Sequence, residues 1–187
     1  SFPADENAVT ATELAEFARR RADFAKRGLK VLGLSGASSG QNDFLRQVEQ
    51  LFGVQIEFPV VSDGPSLNVP SRLCLLGLRD DAGKTLEKSV LRGFVVIDST
   101  RTIRATQVYS SSVGRSVDEL LRLVDALQTA TYQRVCTPVE WRPGSDCFVS
   151  PAISDEDALR LFGEFKKIAP AMRQIEDPNV PKKKVVL

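Results

Sequence analysis

The stretch Pro3-Ala4-Asp5-Glu6-Asn7-Ala8-Val9-Thr10-Ala11-Thr12-Glu13-Leu14 decides where the first helix begins and which side chains lie at its start. Thr10 and Glu13 stand three residues apart, which is the spacing of a capping box, so we expect Thr10 to be the N-cap. We expect the helix to run to about Lys26 and to stop at Gly28. Its apolar residues fall roughly on one face: Leu14, Phe17, Ala18 and Phe24.

Strand-like and helix-like segments alternate along the chain after this helix. The predicted strands are residues 29–34, 58–61, 90–97 and 102–109, the last two joined as a hairpin. Predicted helices begin at Asn42, ending at Phe52, and at Ser116, where Glu119 completes a second capping box. This alternation predicts an α/β layer fold.

Several segments resemble the peroxiredoxin family in order and spacing. The segment at residues 3–14 is similar to that family's active-site loop, with matches at Pro3, Val9, Thr12, Glu13 and Leu14. Further resemblances lie at residues 29–35, 58–63, 92–98, 114–121 and 137–144, the last of them typical of the one-cysteine subgroup. The resemblance implies a thioredoxin-like fold in its peroxiredoxin variant. It also implies that the family's first strands, which precede the active-site loop, are absent from this chain.

The resemblance assigns roles to the residues of a degenerate catalytic site. Thr10 stands where the family has its peroxidatic cysteine, and Arg92 stands at the active-site arginine. Arg115 matches a second basic position, and Glu13 is a candidate partner for Arg92 in an ion pair. The alternative for Arg92 is an anion site shared with the helix N-terminus. Three further positions depart from the family pattern: Phe2 in place of histidine, Asn7 in place of threonine and Ala8 in place of proline.

Peroxide reduction in this family needs a thiolate, which the helix N-terminus and a nearby arginine stabilise. Thr10 offers a hydroxyl that stays protonated at physiological pH. We therefore predict that the protein is not an enzyme, and that it is a structural or interaction subunit of a dimer or a larger assembly. The alternative is a thiol peroxidase that uses a relocated cysteine among Cys74, Cys136 and Cys147. Cys74 is expected in the core.

Composition limits the remaining functions. The 187 residues are 42% hydrophobic and carry a net charge of +1, which gives no broad attraction to nucleic acid or membranes. There is no histidine, which excludes a Cys-His pair and His-ligated metal sites, and we predict no cofactor and no metal. Three cysteines without metal-like spacing favour free thiols in a reducing intracellular compartment, either the mitochondrion, which we favour, or the cytoplasm.

The predicted organisation has three parts. Residues 1–136 form the thioredoxin-like domain, which is N-terminally incomplete, and residues 137–172 form a C-terminal arm for dimerisation with a short helix from Ser154 to about Lys167. Residues 173–187 form a tail. Within it, Lys182, Lys183 and Lys184 are candidates for a weak RNA contact, although so short a basic run is typical of a solvated tail. No apolar run reaches the roughly 20 residues of a membrane helix.

Overall fold

The computed structural model describes residues 1–4, 7–37, 40–63, 66–79 and 87–180. The chain divides into two compact units, residues 1–117 and 118–187. Within the described residues the helices are Ala8–Arg19 (α1), Arg21–Lys26 (α2), Gln41–Phe52 (α3), Asn68–Arg72 (α4), Val117–Gln133 (α5) and Asp155–Phe162 (α6). None of them is long and apolar enough to cross a membrane.

The strands alternate with these helices in the first unit and cluster in the second. They are Gly33–Ser35 (β1), Val60–Ser62 (β2), Leu76–Arg79 (β3), Glu87–Val90 (β4), Arg92–Ile97 (β5), Ile103–Tyr109 (β6), Val135–Cys136 (β7), Cys147–Val149 (β8), Lys166–Ala169 (β9) and Met172–Ile175 (β10).

In the first unit, β1 and β2 are parallel and are joined through α3, as a parallel pair requires. The start of the chain lies between β1 and β5. On one side the Phe2 amide donates to the Leu34 carbonyl (2.9 Å), and on the other the Gly93 amide donates to the Ser1 carbonyl (3.2 Å). These bonds bring the strand that carries Arg92 close to the residues that precede the first helix.

The core of the first unit forms where α1 packs on α3. Its buried members are Phe2, Ala11, Leu14, Ala15, Phe44 and Val48. The single helix predicted as far as Lys26 is interrupted at Arg20, which is the C-cap of α1 and the N-cap of α2. On α3, Phe44 and Val48 are buried, whereas Leu51 is 76% exposed.

The predicted hairpin is β5 paired with β6 in antiparallel register, from Arg92 opposite Tyr109 to Ile97 opposite Ile103. Asp98 organises its turn by accepting hydrogen bonds from the amides of Thr100 and Thr102, both 2.9 Å. Together with the Thr100 hydroxyl and the Arg104 side chain, these bonds hold the pKa of Asp98 well below its usual range. The turn therefore fixes the register that positions Arg92.

The second unit contains α5, α6 and an antiparallel sheet in the order β7-β8-β10-β9. Its core is built around Trp141, which is almost fully buried, together with Cys147, Val149, Ile153, Ala158 and Ile175.

The structure differs from the predicted arm and tail in two places. The helix predicted to reach Lys167 ends at Phe162, because Gly163 takes a positive φ of 81° and stops it. Residues 172–175 span the predicted boundary between arm and tail, and they form β10. In this strand Arg173 is buried and donates a hydrogen bond to Asp155 (2.8 Å). Lys182, Lys183 and Lys184 lie outside the described residues, so the RNA contact stays a prediction.

Candidate functional site

Thr10 lies inside the first helix and is not its N-cap. The cap is Asn7, whose side-chain Oδ1 accepts the Thr10 amide (2.9 Å), so the capping box predicted at Thr10 is wrong. Asparagine is among the best N-cap residues, so the presence of Asn7 three residues before Thr10 could have indicated the observed cap. The Thr10 side chain is thereby left to face the interior, where the residue is only 1% exposed.

The Thr10 hydroxyl contacts an arginine from the neighbouring sheet. Arg92 Nη2 donates to Thr10 Oγ1 (3.2 Å), and both residues are buried. Arg92 lies at the first position of β5, and its Nε donates to the Ser111 carbonyl (3.1 Å). The guanidinium is thus held in place from two sides.

Glu13 lies one helical turn after Thr10 and binds two arginines at once. One oxygen of its carboxylate accepts a hydrogen bond from Arg92 Nη1. The carboxylate also accepts from the Arg115 backbone amide (2.8 Å), Nε (2.9 Å) and Nη2 (2.7 Å). The predicted ion pair between Arg92 and Glu13 is present, and the arrangement is a buried triad of Glu13, Arg92 and Arg115.

Arg115 also ties the triad to the start of the chain, which the sequence did not indicate. Its Nη1 donates to the carbonyls of Gly93 (2.6 Å) and Ser1 (3.0 Å), and its guanidinium lies over the Phe17 ring, 5.5 Å from the centroid. Because these partners are distant in sequence, no local pattern could have revealed them.

The triad carries one more positive than negative charge beside the Thr10 hydroxyl. Burial alone would raise the pKa of Glu13, but the hydrogen bonds and charge of Arg115, with the charge of Arg92, lower that pKa by more. Glu13 is therefore ionised at neutral pH. The excess positive charge and the helix N-terminus both favour an anion at position 10.

Two other positions that depart from the family pattern, Phe2 and Ala8, are not members of the triad. Phe2 belongs to the core of the first unit, and Ala8 is an exposed residue in the first turn of α1. Within the described part of the chain, no group of three His, Cys, Asp or Glu side chains is arranged to hold a metal ion.

The three cysteines are free thiols with different surroundings. Cys74 was expected in the core, and that prediction is wrong, because the residue is exposed in a turn after α4 with a positive φ of 55°. Cys136 is also exposed. Cys147 is buried, and burial, helped by the charge of Asp177, raises its pKa to about 11. Cys147 is therefore a poor nucleophile.

Two family models match this chain. The model of the AhpC/TSA family matches residues 1–106, and that of the C-terminal domain of 1-Cys peroxiredoxin matches residues 126–164. The chain is 35% identical to peroxiredoxin 2 of Picrophilus torridus, over 89% of this chain and 80% of the relative. It is 32% identical to the mitochondrial peroxiredoxin PRX1 of Saccharomyces cerevisiae, over 92% of this chain and 67% of the relative.

Solved structures agree with the sequence relatives. A cysteine-to-serine variant of the peroxiredoxin 6 of Arenicola marina superposes with a TM-score of 0.84 at 28% identity, covering 96% of this chain and 84% of that one. The yeast mitochondrial 1-Cys peroxiredoxin gives 0.83 at 31% identity, covering 94% and 84%. The predicted thioredoxin-like fold in its peroxiredoxin variant is thereby confirmed.

The prediction that this protein is not an enzyme is contradicted by these comparisons. Its relatives, at 32–35% identity over most of the chain, are named peroxiredoxins, and peroxiredoxins are thiol peroxidases. The prediction extended a statement about one side chain to the whole protein. The hydroxyl of Thr10 excludes thiolate chemistry at that atom only, and the chain also carries two exposed thiols, Cys74 and Cys136.

Proposed function

This chain belongs to the AhpC/TSA family of peroxiredoxins, and we propose that it acts within that family as a structural or interaction subunit of a dimer or a larger assembly. The observation that carries this proposal is the edge of the hairpin in the first unit. Among the described residues, β6 pairs with β5 alone, so its other edge presents unpaired backbone groups along seven residues.

The side chains of this edge strand also favour a partner. Ile103 and Val108 are exposed, as is Ile97 on β5. An unpaired, partly apolar edge is a template for pairing with another chain, and proteins that stay monomeric usually protect such edges. A second copy that adds its own β6 would satisfy these backbone groups.

The arm at residues 137–172 offers a second surface for assembly. Val139 is 91% exposed, and Leu159, Ile168 and Met172 are also exposed. The match of residues 126–164 to the C-terminal domain of 1-Cys peroxiredoxin supports treating this region as a unit with its own role. We propose that it contributes to the subunit contact.

We expect the purified chain to sediment as a dimer or larger species. Replacing Ile103 and Val108 by lysine places two charges on the β6 edge and should shift the chain toward the monomer, because paired edges do not tolerate buried ammonium groups. The pair Val139→Asp and Ile168→Asp tests the arm in the same way. Analytical ultracentrifugation measures the result.

The matched control is Leu51→Lys, which also places a lysine on an exposed apolar position but on α3, outside both surfaces. It should leave the sedimentation coefficient unchanged. A wild-type chain that is monomeric at every concentration would end the assembly proposal. An equal shift with the control would show that the lysines act nonspecifically.

A second candidate function is thiol peroxidase activity through a cysteine other than position 10. The names of the relatives favour it, and Cys74 and Cys136 are exposed enough to meet a peroxide. In such a reaction the thiolate attacks one peroxide oxygen, the O–O bond breaks, and water leaves with an added proton. The resulting sulfenic acid is returned to the thiol by a dithiol reductant.

If this reaction occurs, the wild-type chain consumes hydrogen peroxide in the presence of dithiothreitol, and one of two variants abolishes the activity. Cys74→Ser and Cys136→Ser are compared separately, and both residues are exposed, so folding should be retained. Loss with one variant alone identifies the reacting thiol. Activity that persists in the double variant would exclude both residues.

We also propose that Thr10 occupies the position of the family's reacting cysteine, with Asn7, Ala8, Glu13, Arg92 and Arg115 as the rest of that site. The geometry of the triad supports this assignment, because Arg92 donates directly to the side-chain oxygen of Thr10. For location, the yeast relative is named mitochondrial, which supports the mitochondrion as the compartment.

A further inference from the structure

The second unit contains a groove of about 900 Å³, which lies within the size range of ligand-binding pockets. It is formed by the end of α6, the segment leading into β9, and the residues that follow β10. The Thr10 triad does not use it, since that triad lies in the first unit. Part of the groove belongs to the arm at residues 137–172, but the exposed apolar residues named for the arm's assembly surface do not line it.

The groove is strongly acidic. Among the residues that the structure describes, four carboxylates and one ammonium group, that of Lys166, line it; the carboxylates are Asp146, Glu164, Glu176 and Asp177. A ligand that enters it therefore meets a negative potential, which disfavours nucleic acids and other anions.

Two of these carboxylates already have partners. Asp177 is buried and accepts the amides of Gly144 (2.7 Å) and Asn179 (2.9 Å). Asp146 accepts the side-chain amide of Gln174 (2.5 Å). By contrast, Glu164 and Glu176 are exposed and form no ion pair with any other residue that the structure describes. These two are the charges available to a ligand.

The groove also has apolar walls, which a small cation would leave unused. Leu161 and Val180 line it and are about half exposed, at 51% and 49%. Phe165 lines it as well and packs against the core of the second unit, which fixes that wall. A fitting ligand combines positive charges with aliphatic surface.

We propose that this groove binds a basic, apolar peptide segment of a partner protein, one that places two or more lysines among aliphatic side chains. The ammonium groups pair with Glu164 and Glu176. The methylene stems of the lysines and their aliphatic neighbours cover Leu161 and Val180. This inference rests on the proposed interaction role and adds the chemistry of a partner to it.

The test is a fluorescence anisotropy titration of the full chain with a labelled hexapeptide of three lysines and three leucines. The matched probe carries glutamate in place of each lysine. We expect the basic probe to bind with an affinity that falls as salt is added, and we expect the acidic probe not to bind. Glu164→Gln combined with Glu176→Gln should weaken binding by about fivefold, since two exposed charge pairs are lost.

The control is Glu140→Gln combined with Glu156→Gln, which removes the same charge from exposed positions of the same unit outside the groove. An equal loss of affinity in the control, binding of the acidic probe, or no binding of either probe overturns the inference. Sedimentation of the same samples separates the outcomes. If the chain assembles but does not bind the basic peptide, the peptide inference is wrong and the assembly proposal stands. If the groove variant changes the assembly state, the groove is a contact between copies of the chain and the peptide inference is again wrong.

Discussion

Replacing Thr10 by cysteine is expected to create a thiol that hydrogen peroxide oxidises faster than an exposed cysteine at neutral pH. The new sulfur would lie in the first turn of α1 beside Arg92, whose Nη2 already donates to the side-chain oxygen at this position. The excess positive charge of the triad and the helix N-terminus both stabilise a thiolate. Stopped-flow measurement of peroxide consumption with dithiothreitol gives the rate.

The size of the effect follows from the thiolate population. A cysteine with an ordinary pKa of about 8.5 is only about 3% ionised at pH 7, whereas one lowered to about 6 is about 90% ionised. The more acidic thiolate is a weaker nucleophile by about tenfold, so we expect peroxide to react about two- to threefold faster at residue 10 than at an exposed cysteine. Trapping the sulfenic acid with dimedone, followed by mass spectrometry, locates the oxidised sulfur.

The controls isolate position 10 from the other thiols. The variant is made in a background with Cys74→Ser and Cys136→Ser, and Thr10→Ser in the same background keeps an oxygen at the site. Thr10→Ser should match the background rate. If Thr10→Cys also matches it, residue 10 does not occupy the position of the family's reacting cysteine, and the assignment of the site is wrong.

The sequence predicted those parts of the fold that depend on local pattern. The hairpin of β5 and β6 and the helix α3 fall within one or two residues of their predicted bounds, because turn residues and apolar spacing mark them directly. The pair of Glu13 and Arg92 was also expected, although only from the family resemblance. The family pattern placed Arg92 at the active site, and the opposite charge of Glu13 made it a candidate partner there.

The errors have a common cause in contacts between distant residues. Thr10 was the predicted N-cap, but the structure uses Asn7, three residues earlier, while Thr10 faces Arg92 on another strand. Arg173 was predicted to lie in the tail, yet it is buried and donates hydrogen bonds to Asp155 and to the Ser150 carbonyl. Single-residue chemistry cannot reveal such partners, and the same limit applies to inferring the activity of a whole chain from Thr10.

Replacing Glu13 by glutamine is expected to destabilise the first unit by about 3–5 kcal/mol, because two buried guanidinium groups lose the carboxylate that they share. That loss is a large part of the roughly 5–15 kcal/mol that a typical domain has in total. Tryptophan fluorescence does not report on the first unit, because the single tryptophan, Trp141, lies in the second unit. Hydrogen exchange of the α1 amides in urea measures the first unit directly.

The matched control is Glu16→Gln on the same helix. Glu16 is partly exposed and pairs with Arg19 and Arg20 at the surface, so its loss should cost less than about 1 kcal/mol. A similar cost for both variants would mean that the triad contributes no more than a surface pair. Glutamine keeps the size of glutamate, so a large difference between the variants reports charge and hydrogen bonding.

The pH dependence of this difference has a definite sign. The pKa of Glu13 is lowered in the folded chain from an ordinary value of 4.5, so the unfolded chain binds the proton more readily. The stabilisation is therefore fully present above about pH 4.5 and is lost as the pH falls through the lowered, folded value. The glutamine of the variant does not titrate, so the wild-type advantage should be constant near neutrality and should shrink only in acid. An advantage that instead grew as the pH fell would mean that Glu13 is protonated in the native triad, and that the two arginines are not held by a carboxylate.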